Sequence, residues 1–281
     1  PGSNPQRGTS WKAPVDQQLG TQWGVSVAYL GSHSDRLWNA LALNPGVYMG
    51  LGPCVLNGVS YPVCSTNANL NQRRLLYQQN PKEAQFLGAL DLNTDIGYQN
   101  YSGLKLAPQR RSSRGVSLNG NYTLSKCTGT PTANTFNQQS AGYIKPQDPS
   151  YDDGYCNQDR THIGTVTMGY ETPDIGGAAM RAIASHWRVS GIVSARSGGR
   201  LNIITGQDNA FTGLAAQRPN KVSDDFYASD KTLTNYFNRA AFAQPAAGTL
   251  GDLTRNAAVG PNYWNIDLAL SRLISVSATQ R

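Results

Sequence analysis

The sequence predicts an all-β fold: an antiparallel up-and-down meander of long strands joined by turns of two very different lengths. Three observations carry this. Several segments alternate apolar and polar residues for about ten positions, the period of a strand with one apolar and one wet face. Helix formers are scarce: charged residues are 15%, Glu occurs only at Glu83 and Glu171, and Asn, Gly and Thr are abundant. The connections between the alternating segments are short and long in turn.

The elements follow in order. "TQWGVSVAYLG" (21–31) puts Trp23, Val25, Val27 and Tyr29 on one face. "YSGLKLAPQRR" (101–111) alternates more loosely and ends at a charged turn. "RGVSLNGNYTLSK" (114–126) sets Val116, Leu118, Gly120, Tyr122 and Leu124 against Ser117, Asn119, Asn121, Thr123 and Ser125. "HIGTVTMGYETP" (162–173), "HWRVSGIVSARSG" (186–198) and "YWNIDLALSR" (263–272) repeat the pattern. Strands are expected near 21–30, 101–110, 115–125, 162–172, 187–197 and 263–272, with further pairing inside the long connections.

A strand of nine to eleven residues, tilted, crosses a hydrocarbon core. A meander with short turns on one side and long loops on the other matches a transmembrane β-barrel. The apolar face then meets lipid, and Leu118 looks at acyl chains near mid-membrane. The polar face lines a lumen, with Asn119, Asn121, Arg188, Arg196 and Asp267 as lumen-facing candidates. Trp23, Trp187, Trp264, Tyr122 and Tyr170 form aromatic girdles. In a soluble β-sandwich the same apolar face would be a core.

The chain has 281 residues and a net charge of +7, with Arg dominating the cations. The arginines are scattered, without the aromatic interleaving of a nucleic-acid surface, so no nucleic-acid partner is expected. No apolar run reaches the length of a membrane helix. Cys54, Cys64, Cys127 and Cys156 fall on the long-loop side, in turn-rich segments. Two disulfides in an oxidising compartment are expected, Cys54 with Cys64 by short separation and Cys127 with Cys156 by their shared loop. Four cysteines allow three pairings, and spacing alone does not choose among them.

No catalytic residue, metal site or cofactor is expected. Asp148, Asp152, Asp153 and Asp159 gather hard oxygen ligands, but Asp153 stands where a calcium loop needs Gly. The segment reads as a solvated acidic loop. Ser32, His33 and Asp35 are sequence neighbours, which rarely present a triad's geometry, and no nucleophile elbow or phosphate-binding glycine loop occurs.

"YLGSHSDRLWNALALNP" (29–45), "QDRTHIGTVTMGYETP" (158–173), "QRPNKV" (217–222) and "NYFNRAAFAQPAAGTLGDLTRNAAVGPNYWNIDLALSR" (235–272) follow one another as in the barrels of Oar-like TonB-dependent receptors. The resemblance spans nearly the whole chain, and "FNRAAFAQPAAGTLG…RNAAVGP" is its most specific part. "SGGRLNI" departs from the family's Gln-Pro after Ser-Gly, and no plug, TonB box or terminal aromatic strand is found. The resemblance implies a Gram-negative outer-membrane protein carrying out energised passage of an unknown ligand. Residues 1–281 would be a single partial barrel domain. Its partners would be outer-membrane lipid, the rest of its own barrel and plug, and the TonB complex. The alternative is a secreted β-rich binding or adhesion module; a hydrolase has no site to support it.

Overall fold

The computed structural model describes residues 4–113, 115–131 and 142–272. Seven long strands dominate: β1 (Arg7–Leu19), β2 (Trp23–Ala42), β3 (Asp91–Ser113), β4 (Val116–Gly129), β5 (His162–Glu171), β6 (Trp187–Arg196) and β7 (Tyr263–Arg272). They pair in chain order, each antiparallel to the last. The sheet is open, because β1 and β7 each have one strand neighbour among the described residues. Helix is confined there to short pieces, of which α1 (Leu75–Gln79), α2 (Pro81–Ala84) and α3 (Ala178–Ala184) are α-helical.

The last three strands lie within one residue of their expected bounds. The first three do not. β1 was not expected at all, although Trp11, Ala13, Val15 and Leu19 alternate with Lys12, Pro14, Asp16 and Gln18. Pro14 looks like a strand breaker, but β1 has only β2 beside it among the described residues, and an edge tolerates a missing N–H. β2 runs on to Ala42 and β3 begins at Asp91, so the pair reaches far beyond the ten-residue crossing. Their extensions carry register shifts between Asp35 and Asn39. A strand covered on both faces need not alternate, and here the extension packs against loops. Asn39 Nδ2 donates to the Pro131 carbonyl at 3.1 Å, and Tyr143 N–H donates to the Ala40 carbonyl at 3.0 Å.

The connections sort by end. Residues 20–22, 114–115 and 172–186 join strands at one end; 43–90, 130–161 and 197–262 join them at the other. Gly115 is required in its turn: its φ is +77°, and a Cβ would collide with the Glu171 carbonyl oxygen. The sequence also predicts a short turn at "SRLIS" (271–275) leading into a new strand, and from residue 273 on this lies outside the described residues.

The expected pairing inside the loops is present as short ladders. Cys54–Leu56 pairs with Val59–Tyr61, Arg200–Leu201 with Ala258–Val259, and Asn220–Lys221 with Phe242–Ala243. Disulfides join Cys54 to Cys64 and Cys127 to Cys156, with Cα atoms 5.3 and 5.4 Å apart. Both lie on the long-loop side.

Candidate functional site

Register turns the alternation of single strands into two continuous faces, since residues opposite one another across a ladder point the same way. One row reads Leu19, Trp23, Arg110, Leu118, Met168, Gly191, Leu268. Another, nearer the long loops, reads Val15, Val27, Leu106, Tyr122, Gly164, Ala195, Trp264. This face is apolar, and much of it is uncovered: Val15 is 69% exposed and Leu268 is 77% exposed. The band also slides. The first row meets β1 at its last residue and β7 in its middle, the stagger that tilted strands require.

The opposite face is polar and built mostly of small uncharged side chains. Asn119 stands across from Gln109 and Thr167, and Asn121 from Thr165. Ser194 pairs with Asn265, while Arg188 stands opposite Glu171 and Ser271. Arg196 lies opposite Tyr263 with its guanidinium 4.8 Å from that ring, and Asp267 accepts from Asn265 Nδ2 at 2.7 Å. Asn119, Asn121, Arg188, Arg196 and Asp267 thus share one face. Ile163 and Ile192 also point there, as apolar exceptions. Toward the loops this face opens into a cleft of about 280 Å³ lined by Ser32, Ser34, Gln99, Tyr101, Ser125 and Gln158.

Above the sheet the long connections pack into a cap with a polar interior. Arg218, 1% exposed, donates to Asp152 Oδ1 at 2.6 Å and to the Tyr151 and Leu253 carbonyls at 2.7 and 2.8 Å. Arg255 donates to the carbonyls of Asp152 and Gly129 at 2.7 and 2.8 Å. Burial pulls the Arg255 pKa down to about 10, with the nearby Asp152 opposing the shift. Arg73 reaches the carbonyls of Val47, Phe211 and Thr66, bridging two loops. Arg200 Nε donates to Asp159 at 2.8 Å, and Asp159 also accepts from Cys127 N–H at 2.7 Å. A guanidinium has five donors in a fixed fork, so one arginine satisfies several loop carbonyls that no strand pairs.

The solvated acidic loop is therefore a misreading. Asp152 and Asp159 are 1% and 3% exposed, each held by an arginine and a backbone N–H. Asp153 accepts from the Tyr98 hydroxyl at 2.7 Å, and Asp148 from Lys145 at 2.9 Å. The four carboxylates have separate partners, and no cluster of three or more metal-ligating side chains forms among the described residues. His33 bonds to Asn100 at 2.6 Å, while Ser32 points to the other face of β2, so the two make no triad.

A family model described as an outer membrane beta barrel domain matches residues 2–281. The chain belongs to this outer-membrane β-barrel family. Comparison with curated proteins and with solved structures gives no match.

Membership assigns the faces of this barrel domain. The apolar band meets the lipid of a Gram-negative outer membrane, and the secreted-module alternative gives way. By the general rule for such barrels, the short turns face the periplasm and the cap faces outward. Aromatic side chains mark both boundaries of the apolar face: Trp23, Tyr170 and Trp187 near the short turns, and Trp11, Tyr29 and Trp264 toward the loops. Arg110 lies 5.9 Å from the Trp23 ring and Arg272 lies 5.5 Å from the Trp187 ring, cations placed where long side chains reach headgroups. This moves Leu118. Its cross-strand partner is Arg110, so it sits at the periplasmic boundary and not at mid-membrane. Val166, central in β5, lies deeper.

Proposed function

We propose that this domain is part of the barrel of a TonB-dependent receptor, serving energised passage of a hydrophilic ligand. The observation that carries this reading is the open seven-stranded sheet whose polar face runs up into a loop cap. An open sheet leaves unpaired backbone groups on both edges, which lipid does not tolerate, so more strands must close it. The resemblance to Oar-like receptors supplies a plug and the energy source, the TonB complex. In this reading Asn119, Asn121, Arg188, Arg196 and Asp267 look into the lumen. The domain carries out no catalysis and holds no cofactor. Residues 1–281 are one partial barrel domain.

The small polar side chains suit a plugged lumen, because they are wetted without placing strong fixed charge along the wall. The cleft of Ser32, Ser34, Gln99, Tyr101, Ser125 and Gln158 offers hydroxyl and amide groups to an incoming ligand. The test uses the full-length protein in planar bilayers, followed by cross-linking in intact cell envelopes. A plugged receptor shows no steady conductance and cross-links to TonB. Steady ion conductance without TonB contact would instead mark a passive pore.

A further inference from the structure

The connection between β5 and β6 contains an apolar feature that the sheet does not use. In it, α3 ends three residues before Trp187, which opens β6 on the lipid-facing side. The Trp187 indole N–H donates to the Ile183 carbonyl at 2.8 Å. Arg272 Nε donates to the Ser185 carbonyl at 3.3 Å while its guanidinium lies 5.5 Å from the Trp187 ring. Those contacts fasten α3 beside the lipid-facing ends of β6 and β7. Met180 and Ile183 are three residues apart, on one side of the helix, and are 54% and 70% exposed. Ile175, just before the helix, is 39% exposed. The acid of this connection, Asp174, is engaged by His186 at 3.2 Å.

An exposed apolar helix side at the rim of a lipid-facing band has one continuous solvent available to it. We propose that α3 is an interfacial anchor, lying in the headgroup–acyl boundary of the periplasmic phospholipid leaflet. Met180 and Ile183 enter the acyl region, and Arg181 and Arg272 stand at the level of the phosphates. Continuity with the lipid-facing row of Val116, Tyr170, Val189 and Leu270 argues for lipid over a second protein. Amphipathic segments of this kind bind by apolar insertion together with attraction of their cations to phosphate. The inference rests on membership of the barrel family and is independent of the transport reading.

All four cysteines of residues 1–281 are in disulfides, so a single introduced cysteine is the only free thiol of this domain, and any free thiol elsewhere in the full-length protein is first replaced by serine. Ile183→Cys and Met180→Cys, in the full-length protein, would carry an environment-sensitive fluorophore. Leu268→Cys on the sheet's lipid face and Leu233→Cys in a loop serve as references. The proteins are placed in vesicles of phosphatidylethanolamine and phosphatidylglycerol, and folding is checked by electrophoretic mobility without heating. Positions 180 and 183 are expected to be quenched by lipid-borne nitroxide and several-fold less by aqueous iodide than position 233. Iodide quenching equal to that at position 233, with position 268 still shielded, would place α3 in water and overturn the inference. If iodide also reaches position 268, the lipid-facing assignment of the sheet fails together with it.

Discussion

Ile266 and Leu268 stand 50% and 77% exposed on the sheet, while Arg218 and Asp152 are each 1% exposed in the cap. The two regions invert the usual rule for soluble proteins, in which apolar groups go inside and charges outside. Each inversion follows from its surroundings. The sheet's apolar face has lipid to cover it, and its backbone groups are satisfied by ladders. The cap has water around it and few ladders within it, so its loops carry orphan carbonyls that must find donors. Arginine supplies them several at a time. Hydrophobicity therefore places the sheet in its solvent, and hydrogen bonding gives the cap its shape.

The strongest way to break this comparison is in the cap. Arg218→Met leaves Asp152 buried without its closest cation, and losing one partner of a buried pair costs about 3–5 kcal/mol. The expected result is loss of cap order, read as faster proteolysis and hydrogen exchange in 142–161 and 197–262, with sheet amides unchanged. Adding Asp152→Leu should recover part of the loss, because the stranded charge is gone.

The sheet breaks differently. Val166→Arg should destabilise the folded barrel by about 2–4 kcal/mol in lipid, the range for a cation near mid-membrane on the outer face. Thr167→Arg, one residue on and facing the polar side, should cost much less. Equilibrium unfolding of the full-length protein in lipid vesicles measures both.

Removing Cys127 and Cys156 together should cost the cap about 2–4 kcal/mol, the usual range for a disulfide. The barrel strands should survive, shown by unchanged heat-modifiable mobility on a gel. A smaller effect sharpens the electrostatics. Burial, and then the hydrogen bond to Asp153, raises the Tyr98 pKa from 10.0 to about 12. A phenol that holds its proton more tightly when folded contributes fully below pH 10, and that contribution is lost as pH rises through about 12. Tyr98→Phe should loosen the cap modestly at neutral pH, where the hydrogen bond to Asp153 is lost, and should remove the further loosening as pH rises through about 12, as followed by tyrosine absorbance and limited proteolysis.

The same contrast explains what the sequence made legible. Lipid demands strict alternation, so 162–172, 187–197 and 263–272 could be read almost to the residue. Where the demand lapses, so does the signal: the extensions Leu30–Ala42 and Asp91–Asn100 obey loop packing, and their pattern is irregular. β1 also alternates but was not expected; its Pro14 is tolerated because β1 has only β2 beside it among the described residues. The disulfide pairing was favoured by separation and shared loops but not fixed by them, because four cysteines allow three pairings. The cap's arginines were not. Arg218 and Asp152 are 66 residues apart, and Arg255 and Gly129 are 126 apart, with backbone carbonyls as most of the acceptors. No spacing rule reports such contacts, so the cap's arginines read only as scattered cations. Asp152 and Asp159 were misread as solvated for the same reason.

The most direct measurement adds bulk to one residue of each region. Val166 faces fluid lipid, whereas Leu253 is 2% exposed in the cap and its carbonyl accepts from Arg218. Val166→Phe and Leu253→Phe are compared by equilibrium unfolding of the full-length protein in lipid vesicles, with cap order followed by hydrogen exchange. Fluid lipid yields to a larger side chain, so Val166→Phe should stay within about 0.5 kcal/mol of the parent, as surface changes do. A packed interior does not yield, so Leu253→Phe should cost about 1–3 kcal/mol. If Val166→Phe costs as much as Leu253→Phe, the apolar face is packed against protein, and its assignment to lipid is wrong.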